Sequence, residues 1–310
     1  MELFVSGDLT EAQVARLQAG VGTDRLHVHG YFSEDADLEP SFASCEVVFG
    51  NPPASWLTRS KALRWIQLES TGFGEYRDLD WRQLGKDITV TNLAGFYADP
   101  VAETALAGIL ALHRGIDRLV RLQSARDWQG DPLRQSLHSL AGANVVLFGY
   151  GSINRRLAAL LHPFGCNITH FGRGWTAEQL DRALSAADIV VSVVPETNAT
   201  IGLFDAARLS LLKDTALFVN LGRGSVVAEN ALARRLREGR LAGAVIDVTS
   251  KEPLPQEHEF WTCPRLILTQ HTGGGTEDEM DRKIDVFSDN LARYRNGKLL
   301  VGIVDFEKGY

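Results

Sequence analysis

Cysteine is scarce in this chain. The 310 residues hold three, Cys45, Cys166 and Cys263, far apart and in no metal-ligand spacing. An odd, unclustered set excludes a disulfide framework and fits a reducing compartment, with the thiols as buried bystanders and no metal site expected. An excess of basic residues is also lacking: 32 Lys and Arg stand against 39 Asp and Glu, a formal net charge of -7. That balance removes nucleic acid and anionic membranes as default partners. It does not exclude a small anionic substrate, which one or two local cations can hold. No apolar stretch approaches the roughly 18 residues needed to cross a bilayer. The opening Met1–Ser6 has no basic region leading into a long apolar run, so a cytoplasmic protein is expected. Internal repeats and low-complexity segments are absent as well.

What is present is an alternation. Hydrophobic residues make up 45% of the chain, and the length suits about two domains. Short apolar runs separated by helical patterns imply βαβ units and parallel sheets. Leu3–Ser6, Leu26–His29, Glu46–Phe49, Trp65–Leu68 and Ile88–Thr91 read as strands, with a helix at Thr10–Gln18. At Asp99-Pro100 the pattern changes: Asp99 suits an N-cap and Pro100 the first helical position. The Val101–His113 run that follows is apolar on most faces, as in a helix buried at a domain junction or subunit interface. A second series of strands covers Asn144–Phe148, Asn167–Phe171, Asp188–Val194, Ala216–Asn220, Gly243–Val248 and Leu266–Thr269. These runs read as continuously apolar, so both faces of their sheet should be covered. An amphipathic stretch near Glu277–Arg295 leads to the tail.

The segment Val145–Asn154 reads as a strand, a Gly-rich turn and a helix start. Gly149 permits the tight turn, and Gly151 lets backbone approach a pyrophosphate that the helix N-terminus attracts. Tyr150, Ser152 and Ile153 complete the turn. Asn154 stands where a third Gly allows close packing, so a slightly displaced helix is expected. The next strand ends His170-Phe171-Gly172-Arg173-Gly174, without the acid that binds the ribose hydroxyls of NAD. Arg173 suits a 2′-phosphate, and NADP is favoured over NAD.

Three further segments end strands, where ligands bind in open α/β sheets. They are Val219–Ser225 around Arg223, Ile246–Pro255 around Glu252, and Leu268–Gly275 around His271. Each alone is bland. Together, in this order after a dinucleotide turn, they resemble the Arg, Glu and His signatures of the D-specific 2-hydroxyacid dehydrogenases. Val101-Ala102-Glu103 and Val194-Pro195-Glu196-Thr197 extend the resemblance over essentially the whole chain.

The resemblance implies two doubly wound Rossmann-like α/β domains with a cleft between them. A flavodoxin-like substrate domain would span 1–98 plus 280–310, with a dinucleotide-binding domain of 99–279 inserted. It implies hydride transfer from NAD(P)H to a small 2-oxo acid, giving a D-2-hydroxy acid. Arg223 would hold the substrate carboxylate and polarise the 2-oxo group, a task that suits a guanidinium fork. His271 would be the general acid, with Glu252 orienting its ring and favouring its protonated form. Thr71, Gly72, Phe73 and Gly74, following Ser70, would form the substrate-carboxylate loop, with adjacent amides cupping the anion. Val194, Pro195, Leu221, Gly222, Arg223, Asp247, His271 and Gly273 would join the Gly-rich turn around the cofactor, Asp247 near the nicotinamide. Phe96, Tyr97 and Trp261 are candidate pocket walls, though packing is the favoured role for each.

Gln270 departs from the family's Pro before the His, which predicts a less constrained backbone, and Val194 replaces a residue that is often polar. Glu252-Pro253-Leu254-Pro255, Trp261 and Lys308-Gly309-Tyr310 resemble the glyoxylate/hydroxypyruvate reductases. A formate dehydrogenase fits less well, because that group has Gln at the position of Glu252. The family implies a homodimer joined through the nucleotide domain. The competing reading is a dinucleotide-sensing, corepressor-like binding protein with little turnover.

Overall fold

A computed structural model describes residues 1–306, so Lys308-Gly309-Tyr310 lie outside the described residues. The chain divides into two compact units, one of Met1–Phe96 with the segment from Thr276 onward, the other of Tyr97–Gly275.

The first unit holds five parallel strands: β1 (Glu2–Ser6), β2 (Arg25–His29), β3 (Val47–Phe49), β4 (Trp65–Gln67) and β5 (Thr89–Thr91). Their order is β2-β1-β3-β4-β5, the flavodoxin-like arrangement with its switch point beside the first strand. Alternate residues of the buried strands feed two cores. Phe4, Val48 and Ile66 meet Phe42 and Trp56 on one face. Leu3, Val5, Val47 and Trp65 meet Leu17 and Val21 of the helix Glu11–Val21, and Ile284, Phe287 and Leu291 of Glu279–Arg295, on the other. Thr10 caps the first of these helices and Gln13 closes a reciprocal capping box, which fixes where the chain turns off β1.

The second unit holds six: β6 (Asn144–Phe148), β7 (Asn167–Phe171), β8 (Ile189–Ser192), β9 (Leu217–Asn220), β10 (Gly243–Ile246) and β11 (Leu266–Leu268). All pair in parallel in the order β11-β10-β9-β8-β6-β7. The switch point again lies beside the unit's first strand, between β6 and β8. Both sheets are therefore doubly wound.

Two sequence expectations change here. The helix after the junction starts at Ala98 with Tyr97 as N-cap. Asp99 is thus its second residue, where it pairs with Arg156 at 2.5 Å and still favours the positive helix end. Pro100 falls third, in the first turn, where an N–H has no intrahelical partner anyway. The helix Ala98–His113 is apolar because it is packed inside its own unit: Gly108 lies so close to Val245 that an added Cβ would stand 2.7 Å from it. Finally, continuous burial holds for β8, β9 and β10, whereas β7 at the sheet edge is exposed or half-buried throughout. An edge strand has a neighbour on one side only, and Asn167-Ile168-Thr169-His170 reflects that.

Candidate active site

At the end of β6 the chain turns at Gly149, whose φ is 87°. A side chain there would place its Cβ 2.3 Å from the Val193 carbonyl oxygen, so the turn needs glycine. Gly149 and Tyr150 both donate to the Phe171 carbonyl, at 2.9 and 3.2 Å. The helix Ser152–Leu161 then begins with Gly151 as N-cap, which offers no side-chain acceptor to the first-turn amides. Open space borders Gly151, with no atom within 4 Å of its absent Cβ. Free amides, a positive helix end and a bare approach fit the pyrophosphate of a dinucleotide. Tyr150 does not lie free: its ring stacks on His170 at 3.8 Å between centroids and 21° between planes.

Asn154 is fully buried. Its Nδ2 donates to both the Phe148 and Gly149 carbonyls at 3.0 Å. The expected crowding of helix against strand is replaced by two hydrogen bonds.

Past β7, Arg173 borders a hollow of about 570 Å³ together with His170, Trp175, Gln179 and Arg182. No acid lines it. Arg182, on the helix Ala177–Ala186, was missed by sequence reading. Its signal was a second cation nine residues on, ambiguous without knowing which helix face it takes. Pro195 is exposed, whereas Val194 is buried in the core beside Gly149.

The loops after β9, β10 and β11 converge. Asn220, buried at the end of β9, receives the Gly222 amide on Oδ1 and donates Nδ2 to the Arg223 carbonyl at 2.9 Å. Leu221 and Gly222 are buried while Arg223 projects to the surface. Gly224 brings the next loop into contact, since a Cβ there would stand 1.9 Å from the Thr249 carbonyl carbon. On that loop the Thr249 amide donates to Glu252 Oε1 at 2.9 Å. Glu229, opening the helix Glu229–Arg237, accepts from both the amide and the hydroxyl of Ser250 at 2.7 Å. Glu252 itself precedes a cis proline, Pro253.

Glu252 Oε2 lies 2.6 Å from His271 Nδ1. Burial pushes the Glu252 carboxyl up, but hydrogen bonds from His271 and the Thr249 amide, with the charges of His271 and Arg223, outweigh it and hold it below the usual carboxylate range. Beneath them, the buried Asp247 accepts from Thr269 Oγ1 at 2.5 Å and the Gly273 amide at 3.1 Å, and its carbonyl accepts the His271 amide at 2.6 Å. Asp247 therefore moors the loop that carries His271. Asn220, Thr249, Glu229 and Thr269 went unnoticed in the sequence, because a polar residue at a strand end acquires meaning only from the loop that folds over it.

Gln270 and His271 have φ of 54° and 57°. The looser backbone expected at Gln270 is instead a left-handed pair of non-glycine residues. Proline cannot take this conformation, its ring fixing φ near about -65°. A cavity of about 400 Å³ opens beside them, lined by Asp247, Glu252, Leu254, Trp261, Leu268 and His271 among others. Trp261, 45% exposed, donates Nε1 to the Pro255 carbonyl at 2.8 Å and forms a wall of this cavity, in place of the packing role expected for it.

In the first unit, Ser70–Gly74 follows β4. Ser70 Oγ donates to the Gly72 carbonyl at 2.6 Å, and Asn92 Nδ2 donates to the Thr71 carbonyl at 2.9 Å. Among the described residues, the amides of Thr71, Gly72, Phe73 and Gly74 donate no hydrogen bond. Phe73 is buried with its ring edge-on to Phe306. The loop thus keeps carbonyls bound and amides available.

A doubly wound sheet whose first strand ends in a glycine turn on a bare helix N-terminus defines a dinucleotide-dependent class, here an oxidoreductase with an acid–histidine pair at the same sheet edge. The sequence pattern described as D-isomer specific 2-hydroxyacid dehydrogenase, NAD binding domain, matches residues 106–273. A glyoxylate reductase of Thermofilum pendens is 32% identical over 260 residues, 79% of this chain and 76% of that protein. A glyoxylate/hydroxypyruvate reductase A of Photorhabdus laumondii is 30% identical, over 67% of this chain and 68% of the relative. A D-isomer specific 2-hydroxyacid dehydrogenase family protein of Aeromonas salmonicida superimposes with a TM-score of 0.80 at 28% identity, over 98% of both chains. The chain belongs to the D-isomer specific 2-hydroxyacid dehydrogenases and is an NAD(P)-dependent enzyme of that family. No helix among the described residues is long and apolar enough to cross a membrane.

Proposed function

We propose that this enzyme reduces a small 2-oxo acid of the glyoxylate or hydroxypyruvate kind to the D-2-hydroxy acid, preferring NADPH. The carrying observation is the 2.6 Å contact between His271 and Glu252 beside the cavity of about 400 Å³, with Arg223 on the loop whose Gly224 packs against Thr249. Bound NAD(P)H supplies the hydride. The amides of Ser152 and Ile153 hold its pyrophosphate, with Gly149 making the turn and Gly151 leaving the approach bare. Arg173, at the end of a strand without an acid, receives the 2′-phosphate. Tyr150, Val194, Pro195, Leu221, Gly222, Asp247 and Gly273 complete the cofactor's surroundings.

Arg223 holds the substrate carboxylate and polarises the 2-oxo group, and the first unit's loop Thr71, Gly72, Phe73 and Gly74 keeps amides available for an anion. Glu252 fixes the ring through Nδ1, which leaves Nε2 of His271 to donate its proton to the substrate oxygen as that oxygen gains charge. The proton is replaced from solvent, to which the His271 side chain is 56% exposed. The cavity volume lies toward the small end for ligand pockets, and Leu254, Leu268 and Trp261 give it one apolar side. Both relatives above carry glyoxylate reductase names, in keeping with a small substrate.

We further propose a homodimer through the second unit. The apolar face left uncovered is not on the buried helix Ala98–His113 but follows it: Ile116, Leu119 and Val120 are about half exposed, and Trp128 is 95% exposed. Such a patch suits a second copy.

The test is the rate of NADPH and NADH oxidation with glyoxylate, hydroxypyruvate and pyruvate. Turnover fastest with NADPH and either of the first two supports the reading. Failure to reduce any of the three, with cofactor bound, would sink it.

A further inference from the structure

Asn154 breaks the glycine pattern of the dinucleotide turn without breaking the turn. In the usual arrangement a bare backbone at this position lets helix and strand approach, and contact alone sets their spacing. Here a fully buried side chain fills the gap. Both hydrogens of Nδ2 are engaged, one on the last carbonyl of β6 and one on the Gly149 carbonyl. The Phe148 carbonyl also accepts the Val193 amide from the loop after β8, at 2.9 Å. The Gly149 carbonyl accepts the Gly151 amide at the same distance. One side chain therefore ties the first turn of the helix to the strand end, to the glycine turn and, through a shared acceptor, to the loop across the switch point.

The same side chain is held at a cost. Its Oδ1 is buried and has no hydrogen-bond partner among the described residues. An unsatisfied buried carbonyl is destabilising, and native proteins keep few of them. A residue chosen for packing alone would be apolar at this site. What the amide adds is direction: two fixed acceptors orient the first helical turn, and with it the first-turn amides of Ser152 and Ile153.

We propose that Asn154 is a positioning residue for the dinucleotide, replacing van der Waals spacing by hydrogen bonding to hold the pyrophosphate amides in register. This rests on the reading that residues 149–153 bind the pyrophosphate. It makes an unusual demand: restoring the family's glycine should harm binding rather than improve it.

The experiment compares Asn154→Gly, Asn154→Ala and Asn154→Asp with the unaltered protein. Dissociation constants for NADPH are measured by calorimetry, alongside kcat and KM and the melting temperature without cofactor. Leu161→Ala, a deletion in the same helix's buried face, serves as a control for destabilisation alone. Asn154→Gly and Asn154→Ala should weaken NADPH binding about fivefold or more, the equivalent of one lost neutral hydrogen bond, with kcat at saturating NADPH nearly kept. Asn154→Asp should bind more weakly still, because a carboxylate oxygen would face two carbonyl oxygens. Leu161→Ala should melt lower and bind as before. Binding by Asn154→Gly as tight as by the unaltered protein would overturn the proposal. So would a loss in Leu161→Ala equal to that in Asn154→Gly. If the unaltered protein binds neither NADPH nor NADH, the underlying reading fails and the proposal with it.

Discussion

In the proposed reading, the second unit builds two binding surfaces on one sheet edge by opposite means. At the β6 turn the working groups are backbone amides, and the side chains around them, Asn154 above all, serve the backbone. At the ends of β9, β10 and β11 the working groups are side chains, and the backbone serves them: Asn220, Thr249 and Asp247 fix the loops that aim Arg223, Glu252 and His271. A surface made of amides tolerates many side chains but few backbone changes. A surface made of side chains is sensitive to each group, and to strain in the loop that carries it.

That contrast gives an order of effects. Apart from loss of His271 itself, the largest belongs to Arg223→Lys, which keeps the charge but loses the fork. We expect kcat/KM to fall by about 10² to 10³, with the NADPH dissociation constant within about twofold, as read by steady-state kinetics beside calorimetry. Equal losses in both would merge the two surfaces into one.

Gln270→Pro comes next. The left-handed φ of 54° at this position is closed to proline, so the loop must rearrange and His271 with it. A shift of about 1 Å in a reacting group costs about 10² in rate. Gln270→Gly, which accepts this φ, should instead raise the melting temperature, since a left-handed non-glycine residue costs about 1–2 kcal/mol. Unchanged melting in the glycine variant would remove the strain argument.

Glu252→Gln should lower kcat by about tenfold or more, and it sharpens the pH behaviour. The Glu252 carboxyl is held below its ordinary value of 4.5. Its ion pair therefore contributes stability above the unfolded value, and this is lost as pH falls through the lower folded value. Melting temperature followed from pH 6 downward should decline less steeply below about pH 4.5 in Glu252→Gln than in the unaltered protein. Parallel curves would show that the pair contributes nothing.

The smallest effect is expected on the amide side. Arg173→Ser should cut the preference for NADPH over NADH by roughly tenfold, the scale of one charge-assisted hydrogen bond, with kcat kept. Arg182, bordering the same hollow, makes the loss partial, and Arg173→Ser with Arg182→Ser should complete it. A preference unmoved by both substitutions would place the 2′-phosphate elsewhere.

The comparison also explains how much could be read beforehand. Strands β6, β8, β9 and β10 were legible because a strand buried on both faces leaves an apolar run, and the glycine turn because its backbone demands a residue type. Arg223, Glu252 and His271 were singled out through the resemblance of three segments together, not through any one, and the fold brings Glu252 and His271 into contact. Two kinds of residue escaped. Thr269 and Glu229 are polar residues whose partners lie more than twenty positions along the chain, so no spacing announces them, and Asn220 bonds within its own turn, where its type alone does not reveal the role. Gln270 and Asn154 were visible as departures, but departure does not give its consequence: one was read as freedom and is strain, the other as crowding and is a pair of hydrogen bonds. The helix Ala98–His113, which begins where the two units divide, was legible as a buried helix from its apolar run.

The central claim is that His271, held by Glu252, is the acid that protonates the reduced carbonyl. The most direct measurement is turnover of hydroxypyruvate with saturating NADPH by His271→Ala, with the NADPH dissociation constant measured on the same preparation. The account predicts a fall in kcat of about 10² to 10⁴ and cofactor binding changed by less than about threefold. Turnover within about threefold of the unaltered enzyme would contradict it and move the proton donor to another group.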